Sequence, residues 1–284
     1  MKKIILPTDF SESAYNAIRY AIHLHEDMET TFYLLHTYTP PIFQVEYVFQ
    51  SPSQSGLDDL YQTRAMKQLE ALKQRLQDEF AISKHIFKMR AAFNTLTDEI
   101  ILITKNENVD LVIMGTQGIT KAKEILFGTN TTQVIKKTLC PVIAVPSNFM
   151  YRIPTAILFP TDYEIDYNRG NLQQLLNISK KYGATIDVIH ISSGYDLTEE
   201  QLRNKQKLKD ILVPTYILND LPDQGVIKGI NQFQSKKAMD LLVMVRNKHT
   251  FFERMFVEPI IKKIGFHIEI PFMVIPLIDK KWSR

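Results

Sequence analysis

The chain carries one pattern twice. "IILPTDF" at residues 4–10 and "AILFPTDY" at 156–163 are both apolar runs that close on Pro-Thr-Asp. After each comes a helix-like segment and then a second apolar run ending in histidine, "TFYLLH" at His36 and "TIDVIH" at His190. Further on the match needs no gap: Asp110, Pro141 and Pro146 correspond to Asp240, Pro271 and Pro276, each 130 residues later. Three coincidences at one offset identify a tandem duplication. The join falls near "PSNFMYRIP", residues 146–154, so the expected domains are residues 1–148 and 153–284. At 284 residues the chain is long enough for two such units, each with its own core.

Within each copy, short continuous apolar runs alternate with segments such as "SAYNAIRYAIHLH" and "TRAMKQLEALKQRLQDEF", whose apolar residues recur at three and four. Continuous apolar runs imply strands covered on both faces, and helices supply the cover. The expected fold class is therefore α/β, with mainly parallel sheets built from right-handed β-α-β units. The stretch 37–56, rich in proline, glutamine and aromatics, reads as an excursion after the second strand, with a long helix starting near Leu57. The second copy is shorter here.

Composition excludes several function classes. Thirty-four basic against 31 acidic residues give a net charge of only +3, without the one-sided basic footprint that phosphate neutralisation requires, so nucleic acid is not an expected partner. No apolar run approaches the roughly 18 residues of a membrane span, and "MKKIILPTDF" is too short for the apolar region of a signal peptide. The single cysteine, Cys140, cannot form an internal disulfide and reads as a buried helix-end residue. A cytoplasmic location is the expectation.

Three of the ten glycines, Gly115, Gly118 and Gly128, fall in "MGTQGITKAKEILFGTN", residues 114–130. Gly115 follows the strand-like "LVIM", and in an open parallel sheet the ligand crevice lies beyond the carboxyl ends of the strands. Glycine there permits positive φ and a close approach of ligand to backbone. Gly128 and Thr129 open a helix whose apolar side includes Val134, Ile135 and Leu139, and a helix start offers unpaired N–H groups to phosphate. Between these walls runs a strap carrying Lys121 and Lys123. Turn punctuation would also explain the glycines. The stretch is neither a P-loop nor a G-x-G-x-x-G turn.

Position for position, it does match the G-x2-G-x9-G-[ST] pattern of the universal stress protein family, which "PTDFSESAYNAIRYA" and "CPVIAVP" also resemble. The resemblance covers nearly the whole chain as two tandem, doubly wound, Rossmann-like domains with five-stranded sheets. It implies that ATP or another adenine nucleotide, with or without Mg2+, is held by Gly115, Gly118, Gly128 and Thr129 around the phosphates. By the same carry-over Asp9 would contact the ribose and Thr37 the adenine. Asp9 also reads as a helix cap or turn residue, with Ser11 as the rival cap. His36 and His190 read as structural, with no metal or catalytic residues assigned. Any hydrolysis is expected to be slow, because no placed base, P-loop lysine or kinase-type metal set is present.

In the second copy every motif position is lost: Val245, Lys248, Glu258 and Pro259 replace Gly115, Gly118, Gly128 and Thr129. The second domain is thus expected to be degenerate for this ligand, and Asp162 to be structural. The resemblance further implies that the domains meet through their last strands as an internal pseudo-dimer, with a homodimer left open. A rival reading is an interaction or assembly protein that needs no nucleotide.

Overall fold

The computed structural model of the chain describes residues 1–38, 54–80, 83–116, 128–192, 194–222, 226–246 and 269–277. The front half comprises β1 (Lys2–Pro7), α1 (Glu12–Leu24), β2 (Thr30–Tyr38), α2 (Gln54–Glu79), β3 (His85–Phe93), α3 (Leu96–Glu107), β4 (Leu111–Gly115), α4 (Thr129–Lys137) and β5 (Val142–Val145). The back half comprises β6 (Ala156–Thr161), α5 (Gln173–Tyr182), β7 (Thr185–Ile191), α6 (Glu199–Leu212), β8 (Tyr216–Leu221), α7 (Val226–Lys236), β9 (Leu241–Arg246) and β10 (Phe272–Pro276).

The strands form one continuous sheet in the order β3-β2-β1-β4-β5-β10-β9-β6-β7-β8. Within each half every pairing is parallel, and the order of the front half, 3-2-1-4-5, is repeated in the back half. The central strands are buried on both faces, as in β1 at Ile4, Ile5 and Leu6, because helices flank the sheet. Burial alternates along β3, at the outer edge. Buried residues of both halves belong to one contiguous core.

The halves join where β5 and β10 pair antiparallel. Ile143 faces Met273, its counterpart 130 positions on, and is flanked by Ala144 against Phe272 and Val142 against Val274. The pseudo-twofold axis therefore passes through the Ile143–Met273 pair. Each last strand would otherwise be a bare edge of unpaired backbone groups, and pairing covers both. The expected association through the last strands is what the fold contains.

The join itself is packed against both halves. Asn16 Nδ2 donates to the carbonyls of Pro146 at 3.2 Å and Phe149 at 2.9 Å, and Tyr151 stacks on His23 with ring centroids 4.9 Å apart. Arg152 Nε pairs with Asp240 Oδ1 at 2.7 Å. The repeated aspartates are splints: Asp110 accepts from the backbone N–H of Lys3 at 2.9 Å, and Asp240 from that of Ala156 at 3.0 Å.

Three local expectations change. The long helix starts at Gln54, three residues before Leu57, and β2 continues through Tyr38, while residues 39–53 of the excursion lie outside the described residues. α4 buries Val134 and Ile135, but Leu139 is 57% exposed: Thr138, the C-cap, adopts an extended conformation and turns the chain off the helix before Leu139. In the back half no helix starts straight after the first strand. Residues 162–172 run irregularly, with Tyr163, Ile165 and Tyr167 folded inwards, before α5 begins at Gln173.

Candidate functional site

The 3-2-1-4-5 order reverses direction between β1 and β4, and a crevice opens beyond the carboxyl ends of those strands. The cleft there holds about 250 Å³ and is lined by the exits of β1, β2 and β4 together with the first turns of α1 and α4. Asp9, Thr37, Gly115, Gly128 and Thr129 all line it. Gly118, Lys121 and Lys123 lie outside the described residues.

Asp9 sits in a turn that the chain uses twice. Its Oδ1 accepts from the N–H of Ser11 at 3.0 Å and from the Ser11 hydroxyl, while Ser11 caps α1 by accepting from the N–H of Ala14 at 3.3 Å. Ser11, not Asp9, is the cap. In the back half Asp162 Oδ1 accepts from the N–H of Glu164 at 3.1 Å, the same turn with no helix directly behind it. Both turns put an aromatic residue at positive φ, Phe10 at 64° and Tyr163 at 59°, a conformation unusual for a bulky side chain. Each is held the same way. The N–H of Phe10 donates to Thr8 Oγ1 at 2.9 Å, and that of Tyr163 to Thr161 Oγ1 at 2.9 Å. His36 packs on Phe10 and donates from Nδ1 to the Thr8 carbonyl at 2.8 Å; His190 packs on Tyr163 and donates to the Thr161 carbonyl at 3.1 Å. The repeated histidines are thus turn braces, and His36 in addition lines the cleft.

Gly115 is glycine for a reason other than positive φ, since its backbone is not in that region. A Cβ there would lie 2.6 Å from the Ser13 carbonyl oxygen and 2.8 Å from Ser13 Oγ. The missing side chain lets α1 seat directly on β4, and Ser13 Oγ then donates to the Thr116 carbonyl. Thr131, buried in the first turn of α4, donates from Oγ1 to the Gly115 carbonyl at 3.2 Å. Two helix N-termini are thereby pinned to one strand end. Gly128 is the N-cap of α4 at φ −58° and offers no side-chain cap, so the amides at that helix start are left to solvent or a ligand.

Ser13, Thr116, Asn130 and Thr131 also line the cleft and were not singled out from the sequence, and Ser11, expected only as a cap, lines it too. The hydroxyl-rich "TNTT" after Gly128 was the available signal for Thr131. Among the described lining residues Asp9 carries the sole carboxylate and no lysine or arginine is present. Those residues therefore offer backbone amides, hydroxyls and helix dipoles rather than side-chain cations.

Among the described residues of the back half, the chain's own side chains occupy part of the counterpart region. Tyr167 is buried and its hydroxyl bonds Thr161 Oγ1, the counterpart of the cleft-lining Thr8. Gln201 and Asn204 of α6 donate to the carbonyls of Asp162 at 3.0 Å and Tyr163 at 2.9 Å. Val245, which replaces Gly115, is buried, whereas Lys248, Glu258 and Pro259 lie outside the described residues.

Comparison with known proteins decides the family. A sequence model described as "Universal stress protein family" matches residues 1–146, just over half of the chain. The chain belongs to the universal stress protein family. Two universal stress proteins of Methanocaldococcus jannaschii are similar to it, one 26% identical over 146 residues (51% of this chain, 81% of the relative) and one 30% identical over 156 residues (51% and 94%). A universal stress protein structure from Archaeoglobus fulgidus superposes with TM-score 0.61 at 16% identity, covering 98% of this chain and 97% of that one. A functionally unknown protein from Pseudomonas aeruginosa gives TM-score 0.59 at 15% identity, covering 97% and 92%. At such identities the likeness carries the fold alone, and it extends over both halves: this is a tandem, two-domain universal stress protein.

Proposed function

We propose that this universal stress protein is a cytoplasmic stress-response protein that binds ATP, or another adenine nucleotide, in a front domain of residues 1–148. Residues 153–284 form its degenerate pseudo-dimer partner. One observation carries the reading: two helix N-termini and three strand ends converge on one cleft that contains every described residue of the family's glycine motif. Gly115, Gly118, Gly128 and Thr129 surround the phosphates in this reading, with backbone amides and the α4 dipole supplying the attraction. Asp9 has a second carboxylate oxygen to offer the ribose, and Thr37 stands at the exit of β2 for the base. Among the described residues no three His, Cys, Asp or Glu side chains come together, so Mg2+ would enter on the phosphates. Binding and occupancy-dependent signalling are the proposed activity, with hydrolysis at most slow.

A nucleotide-independent assembly role is the second reading, favoured by one detail: the contact with Ser13 accounts for Gly115 without any ligand. Purified protein separates the two. Heat-extracted supernatant should contain an adenine nucleotide, and millimolar ATP should raise the melting temperature. Gly128→Val should remove that shift while the chain stays folded, because φ −58° suits any residue. An empty extract together with an ATP-insensitive melting temperature leaves the assembly role standing.

A further inference from the structure

α4 starts in one crevice and ends beside the other half. Because β10 runs antiparallel to β5, the carboxyl ends of β9 and β10 lie beside the start of β5, where α4 finishes. There Arg246, the last residue of β9, donates from Nη2 to the Thr138 carbonyl at 2.8 Å and from Nη1 to the Ile135 carbonyl. Thr138 is the C-cap of α4 and Ile135 is in its last turn, where carbonyls have no partner within the helix. A cation at that end also meets the negative pole of the helix dipole, and a planar guanidinium suits two adjacent acceptors. Burial pushes the Arg246 pKa down from its ordinary value, yet arginine remains charged in proteins.

By the 130-residue offset Arg246 corresponds to Thr116, which lines the front cleft. At the place where the front half lines its crevice with Thr116, whose hydroxyl donates to the Val145 carbonyl at 3.5 Å, the back half presents an arginine to its neighbour's helix. We propose that Arg246 is a positioning residue for the front cleft: by holding the C-terminal carbonyls of α4, the back half sets where that helix's N-terminal amides stand against β4. The other end is tied by Thr131 to the Gly115 carbonyl, and the buried Val134 and Ile135 seat the nine-residue helix between. A short helix fixed at both ends moves as one body, so loosening the far end shifts the near one. This inference rests on the nucleotide reading of the front cleft.

Titration calorimetry with ATP and Mg2+ on the full chain, run beside thermal unfolding with and without ATP, tests it in wild type, Arg246→Met and Arg246→Lys. Arg246→Met should bind ATP at least about fivefold more weakly and gain less melting temperature from it, as reciprocal coupling demands. Arg246→Lys should fall between, since an ammonium group can serve one carbonyl but not both in a fixed fork. A merely structural arginine would lower the melting temperature of the free protein and leave the Kd alone. Affinity of folded Arg246→Met within about twofold of wild type therefore overturns the proposal. Should that variant not fold, an unchanged Kd in Arg246→Lys overturns it equally. A wild-type chain that takes no ATP overturns the nucleotide reading itself, and the proposal falls with it.

Discussion

Several side chains whose repetition hints at chemistry prove to be braces. His36 and His190 hold the strained Pro-Thr-Asp turn in both halves, and the aspartates of those turns bond backbone N–H groups two residues on. The histidine with the more consequential environment is His25, the C-cap of α1, which no sequence pattern marks. It is buried, and its Nδ1 donates to the Ala21 carbonyl at 3.0 Å. Burial pushes its pKa down to about 4, against the pull of that hydrogen bond, with Lys181, His85 and Lys2 adding positive charge nearby. In the unfolded chain the imidazole takes its proton near pH 6.5, whereas the folded protein resists protonation until about pH 4. The unfolded state therefore binds more protons between those values, and stability is lost as pH falls through that window, by an amount on the order of 3 kcal/mol. Urea unfolding at pH 7.5, 6 and 5 should show this decline, and His25→Gln should flatten it. An unchanged slope in that variant would exclude His25 as the source.

Among the elements, α1 and α4 border the candidate site, and both are set by their contact with the end of β4. The Gly115 position is where α1 lands, so Gly115→Ala forces its Cβ against the Ser13 backbone at 2.6 Å, and the helix or the strand must shift. Overpacking of this kind costs about 1–3 kcal/mol. Denaturant melts should show that loss for Gly115→Ala and little or none for Gly128→Val; equal stability of the two variants would refute the packing role. The sequence made both helices visible through their apolar spacing, and it placed Gly128 and Thr129 at a helix start. Leu139 was misplaced, because an extended C-cap leaves no trace in apolar periodicity. The late start of α5 was equally hidden: "DYEIDYNRG" differs from "DFSESAYNA" in which aromatics turn inwards, a matter settled by the neighbouring α6 through Gln201 and Asn204.

At the scale of the molecule the two halves are one sheet, and the pairing of β5 with β10 is symmetric about Ile143 and Met273. The same register would let Ile143 face Ile143 of a second copy. A fragment of residues 1–148 should therefore associate as a dimer through β5 rather than remain with an exposed edge. Sedimentation should find a dimer that Ile143→Asp dissociates; a stable monomer at high concentration would show that the edge tolerates exposure. The sequence by itself determined the duplication, the parallel α/β class and the helix start at Gly128 and Thr129, since each rests on local periodicity or on residues close along the chain. Only tertiary structure decided that Ser13 fills the space above Gly115, that Tyr167 covers Thr161, and that Arg246 holds α4 from across the pseudo-twofold axis. These contacts join residues from 6 to 111 positions apart, most of them far apart. Their partners are chosen by how strands and helices come to lie side by side, which no stretch of sequence contains.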